Sequence, residues 1–307
     1  MNRKKKKSSW AGRSGDLRNL ESKRDDEMTN GQNTVRKKKI DFRKMHAVEE
    51  KLKGLALNTV CHNARCPNIS ECYDRGTAAF MILGNICTRG CSFCNVESGM
   101  PVYNNDSEPA LVAQAARRML LKYIVVTSVT RDDLDDGGAS VFAETIRQLR
   151  EYDREAGVEV LVPDFGGSKS ALNTVLDEKP DMFAHNMETV PSLYAVRKGA
   201  EYDRSLKVLA HASEKKDVKI KSGIMLGLGE KYEEVISTLK DIADTGCRYM
   251  SIGQYMRPGS RNCEVKEYIT GEMFEKYRAD ALEIGFRHVE SGPWVRSSYM
   301  AEKYTVK

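Results

Sequence analysis

Six short apolar runs, each separated from the next by a stretch of helical spacing, constrain this chain more than any other feature. The runs are Ala78–Leu83, Tyr123–Val129, Val158–Val162, Met182–Asn186, Ile220–Leu226 and Tyr249–Tyr255. They lack strict apolar–polar alternation, which suits strands buried on both faces of a parallel sheet. Apolar residues recur at helical spacing in Ala110–Leu121, Ala139–Glu155, Ser168–Leu176, Tyr202–Lys215, Tyr232–Thr245 and Glu272–Ile284, with Gly246 and Gly285 as stops. An earlier stretch, His46–Asn58, also reads as a short helix. Strands alternating with helices fit right-handed βαβ units. Six strands fall short of the eight of a closed TIM barrel, which leaves an open six-stranded barrel or a doubly wound sheet. In either case the loops after the strands gather at the functional face. Here those loops read CTRGCSFC, TSVTRDDLDDGG, PDFGG, HNMETV, GLGE and RPGS.

The first of these loops holds half of an uncommon cysteine pattern. Six of eight cysteines fall in two triads, Cys61-x4-Cys66-x5-Cys72 and Cys87-x3-Cys91-x2-Cys94. Such clustering in a chain of 307 residues points to metal or redox chemistry, not to a small disulfide scaffold. Three thiolates with one position left open suit an iron–sulfur cube whose fourth iron binds something else. A structural zinc site is the competing reading, although zinc more often takes four ligands from paired C-x2-C units or histidines. Cys247 and Cys263 read as ordinary packed or surface thiols. His185 reads as a hydrogen-bonded structural histidine, and the other four histidines form no pattern.

The net charge of +5 is unevenly placed. Residues 1–46 hold 15 Lys/Arg against six Asp/Glu, and the remainder holds 34 against 38. The leader is therefore basic and the body slightly acidic. Poor in apolar residues and mixed with Ser, Asn and acids, it is expected to be a disordered, solvated tail; nucleic acid is an unfavoured partner. A mitochondrial presequence would lack acids such as Asp16, Glu21 and Asp25. No run of about 18 apolar residues and no secretory stretch is present, so a cytoplasmic protein without a membrane partner is expected.

Phe93, just before the last cysteine of C-x3-C-x2-C, completes the hallmark of the radical S-adenosylmethionine (SAM) superfamily. The resemblance is closer still to the lipoyl synthase family, carried by NTVC, CPNISEC, GTAAFMILGNICTRGCSFC, VTSVTRDDLDDGGA, VLVPDF, HNMETVP, GIMLGLGE, IGQY and GPWVRSSY, from about Leu55 to Tyr299. The chain departs from that family at His62, Asn63 and Arg65, in RKKKIDF, in RPGSRNCEVKEY and at Met300, none of them a cluster ligand.

The resemblance implies an α/β fold, a partial (β/α)6 TIM-like barrel with an N-terminal cluster-binding extension and a C-terminal extension. The implied divisions are a leader (1–45), an extension with the first triad (46–76), the barrel (77–285) and a closing segment with RSSY (286–307). It implies two [4Fe–4S] clusters: one on Cys87, Cys91 and Cys94 that binds SAM, and an auxiliary one on Cys61, Cys66 and Cys72 with Ser298 as fourth ligand. It implies radical insertion of sulfur from the auxiliary cluster at C6 and C8 of a protein-bound octanoyl chain, two SAM being used, with no acid–base catalytic residue. Expected SAM contacts are Thr127, Ser128 and Arg131 for the methionine end, and Asn186 and Glu188 for the ribose. The segment Gly223 to Glu230, turning at Leu226–Gly227, is expected against adenine. Implied partners are octanoylated lipoyl carrier domains or a glycine-cleavage H-type protein, a flavodoxin or ferredoxin as low-potential donor, and iron–sulfur assembly or carrier proteins. Two other readings stay open: a radical SAM sulfur-inserting enzyme for another acyl substrate, and a zinc-binding protein with a basic nucleic-acid arm.

Overall fold

The computed structural model describes residues 27–29, 34–36, 43, 46, 50–55, 57–63, 66, 68–102 and 106–305. Most of the leader, and with it the expectation of disorder there, lies outside the described residues. Within it, β1 (Glu27–Thr29) and β2 (Thr34–Arg36) pair antiparallel. The expected helix from His46 ends at Leu52. Asn58 instead starts β3 (Asn58–Thr59), which pairs antiparallel with β4 (Thr77–Ile82).

From β4 onward the six expected strands are all present. They are β4, β7 (Tyr123–Ser128), β8 (Gly157–Leu161), β9 (Met182–Ala184), β10 (Lys219–Leu226) and β11 (Tyr249–Gln254). Two small strands, β5 (Ile86–Cys87) and β6 (Glu97–Ser98), pair with each other inside the loop of the second triad. A strand absent from the sequence reading, β12 (His288–Gly292), pairs parallel with β11. The eight-stranded sheet runs β12-β11-β10-β9-β8-β7-β4-β3, so β4 through β12 are parallel and stand in chain order. That order is the succession of right-handed crossovers expected of a partial barrel. Helices Glu108–Met119, Ala139–Tyr152, Lys169–Leu176, Tyr202–Ser213, Tyr232–Asp244 and Gly271–Ile284 make the crossovers.

Period-2 geometry explains how one sheet carries two environments. Even-numbered residues such as Ile124, Val126, Val158, Val160, Ile220, Met250 and Ile252 pack with Val112, Phe142, Leu172 and Leu239 of the helices in one core. Each such side chain contributes about 1.5–3 kcal/mol of burial. Odd-numbered residues face the other way and form a second cluster. Tyr123, Val125 and Ala79 meet Cys61 and Ile69 of the N-terminal extension and Ala301 near the C-terminus. Both extensions thus fill the barrel interior.

Candidate active site between the two triads

The second triad follows a turn that only a few side chains tolerate. Leu83 and Gly84 leave β4 with φ of 66° and 86°. The buried carboxylate of Glu108 fixes this turn by accepting the Leu83 N–H at 2.6 Å. Further along, the Arg89 N–H donates to Cys87 Sγ at 3.4 Å, and the Val96 N–H to Cys94 Sγ at 3.4 Å. The sequence reading missed what holds this loop. Arg89, between two of the cysteines, makes paired bonds to Asp164 (2.8 and 3.0 Å) and to Asp132 (2.8 Å each). Arg204 joins Asp164 from the far side at 2.9 Å. From the opposite edge, Asn262 Nδ2 donates to Cys94 O at 2.8 Å and the Cys263 N–H to Ser92 O at 3.0 Å. Cys263 joins this contact through its backbone alone; its thiol donates to the Tyr255 hydroxyl at 3.3 Å, in keeping with an ordinary packed thiol. Cys247 is fully buried in the core, as read.

The first triad is closed over by the end of the chain. Asn68 Nδ2 donates to Trp294 O at 2.6 Å. The Tyr299 hydroxyl donates to Glu71 at 3.2 Å, one residue from Cys72. Thr77 and Arg75 both reach Glu302, at 3.2 and 3.5 Å. RSSY and the C-x4-C-x5-C segment are thus brought together although more than 220 residues separate them in sequence.

Two cysteines of the first triad and Phe93 of the second triad's loop line one cavity of about 270 Å³. Cys61 and Cys66 line it together with Val295, Arg296, Ser297, Ser298 and Phe93, which lies between Cys91 and Cys94. Its walls include the strand residues Val125, Thr127, Leu161, Gly223, Met225, Ser251 and Gly253.

The donor chemistry fits iron–sulfur clusters. Burial, with the neighbouring thiols, pushes Cys61 and Cys72 up to about 12 and Cys91 to about 11. Cys94 is raised for the same reasons. Desolvated thiols become thiolates when a bound cation supplies the missing positive charge. Among the described residues no three His, Cys, Asp or Glu side chains close on a single-ion site.

The expected SAM contacts divide. Thr127, Asn186, Glu188 and Gly223 line the cavity. Burial pushes the Glu188 carboxyl above the usual carboxylate range, against the opposing pull of Arg197 and Asn186. A Cβ at Gly223 would lie 2.6 Å from Ser251 Oγ and 2.9 Å from Asn186 Oδ1, so glycine there lets those two side chains pack against the strand. Thr127 Oγ1 donates to Leu161 O at 2.8 Å. Ser128 Oγ is buried with no hydrogen-bond partner among the described residues. Arg131 does not line the cavity, and its guanidinium is clasped by Asp133 at 2.8 Å. Glu230 accepts the Gly227 and Leu228 N–H groups of its own loop, at 2.5 and 2.9 Å, and so shapes the turn after Leu226. His185 is buried, with Nδ1 2.9 Å from Val162 O, in keeping with a structural histidine.

A sequence profile described as Radical SAM superfamily matches residues 81–242. A lipoyl synthase of Geobacter sp. (strain M21) is 51% identical over 258 residues, covering 84% of this chain and 89% of the relative. A lipoyl synthase of Caldanaerobacter subterraneus subsp. tengcongensis is 54% identical over 260 residues, covering 84% and 91%. Among solved structures, the FeFe-hydrogenase maturase HydG of Carboxydothermus hydrogenoformans superposes with a TM-score of 0.54 at 14% identity, over 86% of this chain and 77% of HydG. Streptococcus suis SuiB bound to S-adenosylmethionine superposes with a TM-score of 0.53 at 14% identity, over 81% of this chain and 61% of SuiB. These two structures speak to the fold alone.

Proposed function

The chain belongs to the lipoyl synthase family of the radical SAM superfamily, and from that membership we propose that it inserts sulfur at C6 and C8 of a protein-bound octanoyl-lysine, using two SAM per lipoyl group. The observation that carries the reading is the shared cavity: Ser298 of RSSY lines it together with Cys61, Cys66 and Phe93 of CTRGCSFC. An aliphatic C–H bond has no acidity that a carboxylate or imidazole could use, so the cofactors carry the hard step. When bound, SAM on a [4Fe–4S] cluster supplies a hydrogen-abstracting radical, and a second [4Fe–4S] cluster supplies sulfur.

The protein's own residues hold, place and shield. Cys87, Cys91 and Cys94 would hold three irons and leave one for SAM. Cys61, Cys66 and Cys72, with Ser298 as a more labile oxygen ligand, would hold the sulfur donor. Thr127, Ser128, Asn186, Glu188 and the Gly223–Glu230 segment are proposed to bind SAM, with Arg131 acting through the loop that it shares with Asp133. Val60, Ala79, Val125, Leu161 and Met225 form an apolar wall that would take the acyl chain and exclude water.

Octanoylated carrier domains or a glycine-cleavage H-type protein would present the substrate. A flavodoxin or ferredoxin would supply electrons, and iron–sulfur assembly proteins would rebuild the donor cluster. A cytoplasmic setting is supported by six thiols arranged as ligands, which need reducing conditions. No helix among the described residues is long and apolar enough to cross a membrane.

The test is anaerobic turnover of an octanoylated carrier domain and an octanoyl-lysine peptide with SAM and a reductant. Lipoyl product is expected. SAM cleavage without lipoyl product on either substrate would move the chain to a different acyl substrate, and a colourless zinc-loaded protein would remove both radical readings.

A further inference from the structure

We propose that Lys221 is the positioning residue that presents Ser298 to the first triad, an inference that rests on Ser298 being that cluster's oxygen ligand. Lys221 lies on β10 inside an apolar strand, and its side chain is only 1% exposed. A buried ammonium is costly unless every direction around it is answered. Here three groups answer it. Glu159 on β8 lies 2.9 Å away, itself 1% exposed. The Tyr304 ring sits under the ammonium at 4.1 Å. The third group is the carbonyl oxygen of Ser297, at 2.6 Å. Glu159 is held in turn by the Tyr123 hydroxyl, which donates to its other oxygen at 3.1 Å.

The Ser297 carbonyl is the informative partner. That C=O and the N–H of Ser298 belong to one planar peptide unit. Fixing the oxygen fixes the plane from which the Ser298 Cα departs. The same ammonium grips the chain on both sides of Ser298, at residue 297 by a hydrogen bond and at residue 304 by a ring face. Ser297 is also held through its hydroxyl, which exchanges hydrogen bonds with Asn186 at 2.6 and 2.9 Å. Tyr304 is held through its hydroxyl, donated to Met250 O at 3.2 Å. The Lys221–Glu159 pair therefore ties the floor of the barrel to the closing segment. Neither residue lines the cavity, so Lys221 acts through Ser298 and not on substrate. An ion pair that could be replaced by apolar residues for stability alone is, in this place, used for geometry.

The test uses the full chain with Lys221→Met and with the double variant Lys221→Met/Glu159→Gln. The double variant avoids stranding a lone carboxylate in the core, so it separates positioning from misfolding. In the cluster-free protein under anaerobic conditions, hydrogen–deuterium exchange of amides 297–305 should quicken about tenfold in both variants, while helix Tyr232–Asp244 stays unchanged. In the reconstituted protein, iron held by the first triad should fall. The ratio of 5′-deoxyadenosine to lipoyl product should rise about tenfold while SAM cleavage itself is retained. Unchanged exchange at 297–305 in the double variant would overturn the proposal. So would faster exchange with full iron at the first triad. A parent protein that loads both clusters but makes no lipoyl product would refute the proposed reaction alone, because the exchange and iron measurements still decide the role of Lys221.

Discussion

Removing the carboxylate of Asp164 is the sharpest test of how the second triad is held. Its side chain is 0% exposed and takes bonds from Arg89 at 2.8 and 3.0 Å, from Arg204 at 2.9 Å and from the Gly166 N–H at 3.1 Å. In Asp164→Ala, Arg89 keeps the half-exposed Asp132, and Arg204 keeps the exposed Glu201 and the Gly199 carbonyl. Breaking a buried pair by deleting one partner costs about 3–5 kcal/mol. Against a total stability of about 5–15 kcal/mol that is a large fraction. It corresponds to a fall in Tm on the order of 10 °C.

Asp164→Asn keeps acceptor and shape but loses the charge, so it should fall between alanine and parent. Because Arg89 lies between Cys87 and Cys91, iron loading at the second triad should fall with stability. The pH dependence follows from the sign of the shift. Burial works against the ionised form, but Arg89 outweighs it and holds Asp164 well below the usual carboxylate range. A lowered value in the folded state gives stabilisation that is complete above the unfolded value of about 3.9 and lost as pH falls through the folded value. The gap between parent and Asp164→Ala should therefore hold constant from pH 7 to about 5 and narrow only below about 4. Thermal unfolding of cluster-free protein by circular dichroism at several pH values reads this directly. A Tm for the alanine variant within about 2 °C of the parent at pH 7 would refute the reasoning.

Other expectations concern the clusters, the close backbone approaches and the buried imidazole. Cys91→Ala should abolish SAM cleavage, whereas Cys66→Ala should still cleave SAM but form no lipoyl product; lipoyl product from Cys66→Ala would refute the sulfur-donor assignment. Gly253→Ala places a Cβ 2.3 Å from the Val295 carbonyl oxygen, which no rotamer relieves. It should cost about 1–3 kcal/mol and lower iron at the first triad, since Val295 leads into RSSY; calorimetry and iron analysis check it. Burial pushes His185 down to about 4, so between there and its ordinary value the unfolded chain binds a proton that the folded chain does not. Stability should then rise with pH across that window by about 1.4 kcal/mol per unit, and urea titrations of His185→Gln against the parent should show that slope removed.

The six barrel strands were legible because their outward-facing residues are apolar and pack on helices. The seventh, β12, was not: HVESG reads as polar, since His288 and Glu290 pair with each other at 3.1 Å, and parallel pairing with β11 supplies the order that composition lacks. The end of the helix expected over His46–Asn58 misled in the other direction. Helical spacing ran on to Asn58, but pairing with β4 captured Asn58 and Thr59 as strand. Propensity is a weak prior where a sheet edge offers hydrogen bonds.

At the site, the cysteine triads were legible because metal ligands must recur at short spacing. What holds them was not, because Arg89, Asp164, Glu159 and Lys221 come from four separate loops and strands. Yet each left a trace. Glu159 in VEVL and Lys221 in KIKSG are charges inside apolar runs, where a strand buried on both faces should carry none. A charge in such a place must find a partner across the barrel, and the register of β8, β9 and β10 puts Glu159 and Lys221 on the same inward face. Sequence can thus locate a buried charge, but only topology tells which opposite charge answers it. Only side-chain packing shows that the surplus hydrogen bond goes to Ser297. The residue that decides whether two distant motifs form one site is the one whose role no local pattern could state.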